Sequence, residues 1–179
     1  EAQFEPPTTL QVVTMGASGM AKRTARHLYG CQRRGGMGIY DLDTPENDPP
    51  AWLMVAEEAA SLLLITNRAR AFRIAVADIT ATAVHSRGKP LTGGPGMYPG
   101  EQVAAVLPGE RSTYVALLSE KGWALCLAGH ILGENLRPNL VLFDVSKYGA
   151  PVSGCWARSD QDLLMATRKG LAVRLAVKK

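Results

Sequence analysis

A short segment places two guanidinium groups beside three glycines: Gln32-Arg33-Arg34-Gly35-Gly36-Met37-Gly38. Arginine presents a planar fork of N–H donors that matches the oxygens of a phosphate. Glycine lacks a Cβ and tolerates positive φ, so the backbone of such a segment can approach an anion closely. We name residues 32–38 the arginine–glycine box and predict that it contacts the phosphate backbone of a nucleic acid. A solvated basic turn is the alternative.

The chain around the box is also basic. From Met20 to Tyr40 it carries Lys22, Arg23 and Arg26 in addition to the two box arginines, and it contains no Asp or Glu. Cations without acidic neighbours in the sequence favour an external anion, so these three residues are predicted to contact nucleic acid as well.

Other residues that could do chemistry lack partners at a useful spacing. The three histidines are far apart, and no Cys–His pair is matched by a second pair that could complete a zinc site. An acidic cluster follows the box at Asp41, Asp43, Glu46 and Asp48. Its interleaved prolines favour a solvated loop over a metal site. We therefore predict that the chain has no catalytic site of its own, binds no metal and uses no cofactor.

The composition is that of a globular domain with many turns. The chain has 179 residues, 46% of them hydrophobic, with 18 glycines and 11 prolines. A net charge of +4 and a pI near 9.1 are compatible with nucleic-acid binding without requiring it. Three scattered cysteines, no visible signal peptide and no bilayer-length apolar run predict a soluble protein of the reducing cytoplasm without membrane contact.

One local pattern occurs four times, at intervals of about fifty residues. Each copy is an apolar run that ends in a hydroxyl residue, then a short polar turn, then a second run that alternates apolar and polar. This pattern is typical of a β-hairpin. We take the hydroxyl residues as markers of the repeat: Thr14, Thr66, Ser119 and Thr167.

The repetition predicts an all-β, propeller-like fold. Further strands are expected between the hairpins, so one repeat has about four strands and corresponds to one blade. We predict a single domain, residues 1–179, with about three and a half repeats. Their approximate bounds are 8–50, 51–107, 108–158 and 159–179. Three arrangements stay open: a fragment of a longer domain, closure with fewer blades, and a ring completed by a second copy.

Cations recur on the predicted hairpins at Arg68, Arg70, Arg73, Lys121, Arg168 and Lys169. Because the hairpins are equivalent, their turn residues recur at one radius of the propeller and would form a curved positive track. Such a track suits duplex DNA that is bent through its phosphates, with little reading of base sequence. Binding is then expected to fall steeply with salt concentration.

The box closely resembles the one in the C-terminal domain of the DNA gyrase A subunit, which reads Gln, basic, Arg, Gly, Gly, basic, Gly. Six of the seven positions match, and the departure is Met37. The segment Thr66-Asn67-Arg68-Ala69-Arg70 is similar to the hairpin signature of that family, with Ala69 where glycine is usual. The repeats extend the resemblance over the rest of the chain.

The resemblance implies a six-bladed, strand-swapped propeller called a β-pinwheel. It implies that the domain wraps double-stranded DNA around its rim, and that the box allows negative supercoiling rather than relaxation alone. The matching box positions are Gln32, Arg33, Arg34, Gly35, Gly36 and Gly38. The implied partners are the gyrase A N-terminal core and the gyrase B subunit, at the nucleoid in the bacterial cytoplasm. DNA cleavage and ATP hydrolysis would belong to those other parts of a type IIA topoisomerase.

Two alternatives lead to different expectations. The related C-terminal domain of topoisomerase IV also binds DNA, but its copy of the box is typically degenerate, whereas this one is nearly complete. A protein-interaction β-propeller would bind no DNA. Salt-dependent DNA affinity separates that module from the two DNA-binding domains.

Overall fold

The computed structural model describes residues 6–30, 35, 36, 38–91, 96–109, 112–133 and 136–177. In chain order its strands are β1 (Leu10–Gly16), β2 (Met20–Ala25), β3 (Pro50–Glu57), β4 (Ser61–Thr66), β5 (Arg70–Ala75), β6 (Lys89–Pro90), β7 (Val103–Pro108), β8 (Tyr114–Ser119), β9 (Ala124–Ala128), β10 (Leu140–Val141), β11 (Pro151–Ala157), β12 (Asp162–Ala166) and β13 (Ala172–Ala176). They form four successive antiparallel sheets, each built on one predicted hairpin. The prediction of an all-β fold is confirmed.

The first two sheets are complete four-stranded blades with the hairpin in the middle. Blade 1 has the strand order β3-β1-β2-β6, and blade 2 has the order β10-β5-β4-β7. Within the described ranges, blade 3 has the three strands β11-β8-β9 and blade 4 has the hairpin β12-β13.

The outermost strand of a complete blade comes from the next repeat along the chain. β6 follows the second hairpin but pairs with β2 of the first, where Ala21 lies opposite Lys89. β10 follows the third hairpin but pairs with β5 of the second, where Leu140 lies opposite Ala71. Neighbouring blades therefore exchange short strands, as the strand-swapped arrangement requires.

Each hairpin turn needs one residue with positive φ. This residue is Gly19 (φ +86°), Ala69 (+55°), Gly122 (+81°) and Gly170 (+80°) in blades 1 to 4. Glycine adopts this conformation without strain, and Ala69 adopts it at some cost. In each turn the N–H of this residue donates to the carbonyl three residues earlier.

That turn hydrogen bond corrects the register of the first repeat. The accepting carbonyls belong to Thr66, Ser119 and Thr167, as the repeat markers predict, but in blade 1 the acceptor is Gly16. Thr14 therefore lies two positions before the true equivalent of the other markers. The four turns are equivalent even though one of them lacks the hydroxyl.

Apolar side chains fill the spaces between neighbouring blades. One cluster joins blades 1 and 2 and contains Met15, Leu62 and Leu64. A second cluster joins blades 2 and 3 and contains Leu63 and Ile65. Successive side chains of β4 point to opposite faces, so one strand serves two cores and is apolar at consecutive positions.

Helical structure is minor in the part of the chain that the structure describes. The α-helix α1 (Val145–Tyr148) has 4 residues. Short 3-10 turns follow the second strand of the first three hairpins at Arg26–Leu28, Val76–Asp78 and Gly129–Leu132. None of the described helices is long and apolar enough to cross a membrane.

Candidate functional site

The arginine–glycine box lies between the first hairpin and β3. Three of its glycines are exposed: Gly35, Gly36 and Gly38. The other four positions, Gln32, Arg33, Arg34 and Met37, lie outside the described residues. Gly35 has a φ of +77°, which favours glycine, whereas Gly38 does not, and a Cβ added at either position would meet no atom within 4 Å. The described backbone of the box is therefore open to solvent.

The chain on either side of the box is held by one carboxylate. Tyr29 Oη donates a hydrogen bond to Asp41 Oδ1 at 2.6 Å. Thr14 Oγ1 donates to Asp41 Oδ2 at 2.5 Å, and Lys22 Nζ lies 2.8 Å from Asp41 Oδ1. Tyr29 and Asp41 therefore meet, although the box lies between them in the sequence.

The pKa shifts in this cluster set the direction of its hydrogen bonds. Burial alone would raise the pKa of Asp41, but hydrogen bonds from Lys22, Thr14 and Tyr29 outweigh burial and hold the pKa below its usual range. Burial, and then the bond to Asp41, raise the pKa of the Tyr29 hydroxyl. At neutral pH Asp41 is therefore an acceptor and Tyr29 a donor.

Lys22 does not fit the predicted contact with nucleic acid, because its side chain is 0% exposed. Besides its pair with Asp41, Lys22 Nζ donates to the carbonyl oxygen of Ala83 at 3.2 Å. The stretch from Met20 to Tyr40 contains no acid, yet the counter-ion of Lys22 lies one residue beyond it. This cation neutralises the protein's own carboxylate.

Arg70 is a second correction, since it is only 4% exposed. Its Nη1 lies 2.5 Å from Glu101 Oε2, and Thr66 Oγ1 donates to Glu101 Oε1 at 2.5 Å. The guanidinium carbon lies 4.1 Å from the centroid of the Tyr98 ring, within the range of a cation–π contact. Arg70 thus closes blade 2 from the inside and is withdrawn from the predicted DNA-contacting set.

Arg23 and Arg73 are half-buried and are bonded within the protein. Arg23 Nη1 lies 2.9 Å from Glu58 Oε1, and its Nε donates to the carbonyl oxygen of Ile79 at 2.9 Å. Arg73 Nη1 donates to the carbonyl oxygen of Leu132 at 3.3 Å. A DNA contact by either side chain would compete with these bonds.

The remaining predicted cations are exposed. Arg68, Lys121, Arg168 and Lys169 lie in the turns of the second, third and fourth hairpins, and Arg26 lies at the opposite end of the first hairpin. Arg68 Nη2 donates to the Pro99 carbonyl at 3.1 Å, and Lys121 Nζ donates to the Ser146 carbonyl at 2.8 Å. The turn positions therefore present cations to solvent in three successive blades.

Sequence reasoning missed a second set of exposed cations, next to the exchanged strands. Arg87 lies just before β6, Lys89 lies in it, and Arg137 lies just before β10. A signal was available, because Arg87 and Arg137 follow their repeat markers by about twenty residues, as Arg34 follows Gly16. The box arginine thus occupies a position that is basic in each of three repeats.

The acidic cluster is divided between structure and solvent. Asp41 belongs to the contacts above, and Asp48 accepts a hydrogen bond from the backbone N–H of Ser18 at 3.0 Å in the first hairpin turn. Asp43 and Glu46 are exposed. No group of three or more potential metal ligands occurs among the residues that the structure describes.

A family model described as DNA gyrase C-terminal domain, beta-propeller, matches residues 11–48, 60–109 and 161–179, more than half of the chain. The DNA gyrase A subunit of Clostridium acetobutylicum is 24% identical over 169 residues. That match covers 91% of this chain and 20% of the relative, so the chain spans about a fifth of its length.

Two solved structures share the fold. A DNA gyrase A C-terminal domain matches with a TM-score of 0.70 and 18% identity, over 96% of this chain and 57% of the other. The C-terminal domain of a DNA topoisomerase IV matches with a TM-score of 0.77 and 14% identity, over 98% and 54%. The propeller-like architecture predicted from the repeats is confirmed.

Proposed function

The chain belongs to the family of the DNA gyrase C-terminal domain, beta-propeller, and on that premise we propose that it binds double-stranded DNA through phosphates and bends it around the propeller. Sequence specificity is not required, because phosphate contacts position a duplex without reading its bases. The contacting groups are the box and the exposed cations of the hairpin turns.

The observation that carries this proposal is the recurrence of exposed cations at equivalent places in successive blades. Arg68, Lys121, and Arg168 with Lys169 occupy the same turn in blades 2, 3 and 4. Smooth bending of a short duplex costs on the order of several kcal/mol, so a single cationic site cannot hold it. Repeated phosphate contacts along a curved surface offset that cost.

The rest of a gyrase would supply what this chain lacks. We propose that bent DNA passes from this domain to the N-terminal core of the gyrase A protein, and that ATP hydrolysis takes place on the gyrase B protein. The setting would be the bacterial cytoplasm, at the nucleoid. The names of the relatives support this role, and the chain spans only about a fifth of the Clostridium protein, so cleavage and ATP hydrolysis would lie elsewhere.

The test is DNA bending, measured by fluorescence transfer between the two ends of duplexes of increasing length. Reversal of Arg33 and Arg34 to Glu is expected to weaken bending by about tenfold or more, because it replaces two phosphate contacts by repulsion. The control reverses Arg158 and Arg174 to Glu, which changes the net charge equally. Arg158 is exposed and follows β11 at the end of blade 3 far from its hairpin turn, because Ala157 pairs with Tyr114 at the start of β8.

The outcomes separate the three candidate functions. Strong, salt-sensitive bending that depends on Arg33 and Arg34 supports the gyrase-type role. Equal bending by both variants would overturn the box assignment and favour a topoisomerase IV-type DNA-binding domain. An absence of binding at low salt would leave the protein-interaction propeller.

A further inference from the structure

The contacts of Asp41 join the two ends of the loop that carries the box. Tyr29 precedes the loop, Asp41 follows it, and Tyr29 Oη lies 2.6 Å from Asp41 Oδ1. Asp41 is fixed to blade 1 through Thr14 and Lys22, which are 1% and 0% exposed. We name these four residues the Asp41 clasp. The Nδ1 atom of His85 also contacts the carbonyl oxygen of Tyr40, just inside the loop.

The positions that anchor the clasp are polar only in blade 1. When the repeats are aligned on the turn hydrogen bond, Thr14 corresponds to Leu64, Leu117 and Met165 in the other blades. Lys22 corresponds to Phe72, Leu125 and Val173. The other three blades therefore have apolar side chains at both positions.

A buried ammonium is a poor substitute for an apolar core residue. Removing an ammonium and a carboxylate from water opposes folding, and a well-packed apolar pair of similar volume is often as stable or more stable. The other blades of this chain have that apolar arrangement. Because the charged arrangement occurs in the blade that carries the box, its benefit lies in the box loop rather than in the sheet.

We propose that Tyr29 and Asp41 are positioning residues for the box: the bond between them holds the base of the loop and presents Arg33 and Arg34 to DNA. This inference rests on the proposed function of the box as a DNA contact. A loop with tied ends samples fewer conformations than a loop with free ends, so it loses less entropy when DNA binds. Asp41 contributes the junction, and Tyr29 contributes the far end of the loop.

The test uses Tyr29→Phe in the full chain, which removes one hydroxyl and leaves Thr14 and Lys22 to hold Asp41. Trypsin cleavage after Arg33 and Arg34, resolved by mass spectrometry, is expected to become about fivefold faster because a charge-assisted hydrogen bond is lost. The affinity for bent DNA is expected to fall by a similar factor. Tyr148→Phe is the matched control, because the Tyr148 ring packs on Trp123 and Phe143, away from the clasp.

A double variant distinguishes positioning from general destabilisation. In a background in which Arg33 and Arg34 are already Glu, Tyr29→Phe should have no further effect on bending if it acts through the box. A further loss in that background, or unchanged cleavage, would overturn the proposal. Faster cleavage with unchanged bending would overturn it while the proposed function stands. If reversal of Arg33 and Arg34 does not change bending, the proposed function fails, and cleavage alone decides on the clasp.

Discussion

At Arg70 a guanidinium and a carboxylate are buried together, whereas the same two groups at Arg174 and Asp162 face solvent. The Arg70 and Glu101 side chains are 4% and 0% exposed, and those of Arg174 and Asp162 are 77% and 34% exposed. A buried pair is stabilising only relative to its own broken state, because the remaining partner is left as an uncompensated charge. Burial thus decides which arginines of this chain maintain the fold and which are available to a ligand.

Arg70→Met is expected to lower the free energy of unfolding by about 3–5 kcal/mol, because Glu101 stays buried without its cation. Chemical denaturation followed by circular dichroism measures this loss. The double variant with Glu101→Gln should recover part of it, since an amide needs no counter-charge.

The matched control is Arg174→Met, which breaks the exposed pair with Asp162. An exposed pair contributes less than about 1 kcal/mol, so the denaturation midpoint should hardly move. Equal losses for Arg70→Met and Arg174→Met would contradict the assignment of Arg70 to the interior.

At the scale of elements, the hairpin turn is the unit that repeats, and its backbone sets which residues it accepts. Gly122 has a φ of +81°, and a Cβ there would meet no atom within 4 Å. Ala69 has the same role with a φ of +55° and is buried. The second turn therefore carries a strain that glycine avoids in the other three.

Gly122→Ala is expected to destabilise the fold by about 1 kcal/mol, because the strained φ outweighs the smaller entropy of the unfolded chain. No steric clash contributes, so thermal unfolding reads the backbone term alone. Gly38→Ala is the control: Gly38 has equal space and no positive φ, so the midpoint should be unchanged or slightly higher. A lower midpoint for Gly38→Ala than for Gly122→Ala would refute this account of the turns.

The hairpins could be predicted from the sequence because each strand pair is local and has its own apolar run. The exchanged strands could not, since β6 and β10 have 2 residues each, and their partners lie in the preceding repeat. The register of the first repeat was missed for a related reason: Gly16 has no side chain to mark it. Turn hydrogen bonds, rather than residue types, define the equivalence.

The site was predictable in its exposed part only. Cations in hairpin turns are exposed wherever the turn is, so Arg68 and Lys121 follow from the hairpin pattern. The burial of Lys22 and Arg70 depends on Asp41 and Glu101, which reach them from loops that follow the hairpins. A window of sequence that ends at Tyr40 contains the charge but not its partner.

At the scale of the whole molecule, exposed cations occupy two equivalent sets of places, the hairpin turns and the chain just before each exchanged strand. The second set contains Arg87 and Arg137, and the aligned position in the first repeat is Arg34 of the box. If DNA follows the propeller, it passes one such arginine in each repeat. The box would then be the first and most elaborate member of a series.

Replacement of Arg87 and Arg137 by Gln therefore tests whether the series contacts DNA. Each phosphate contact releases counterions, so the slope of log K against log salt concentration should become shallower by about 1 for each arginine removed, or about 2 in total. The measurement is DNA affinity by fluorescence anisotropy over a range of salt concentrations. Arg158→Gln with Arg174→Gln removes the same charge and should leave the slope unchanged. The same change of slope in both variants would mean that net charge, rather than the placement of arginines on successive blades, governs binding.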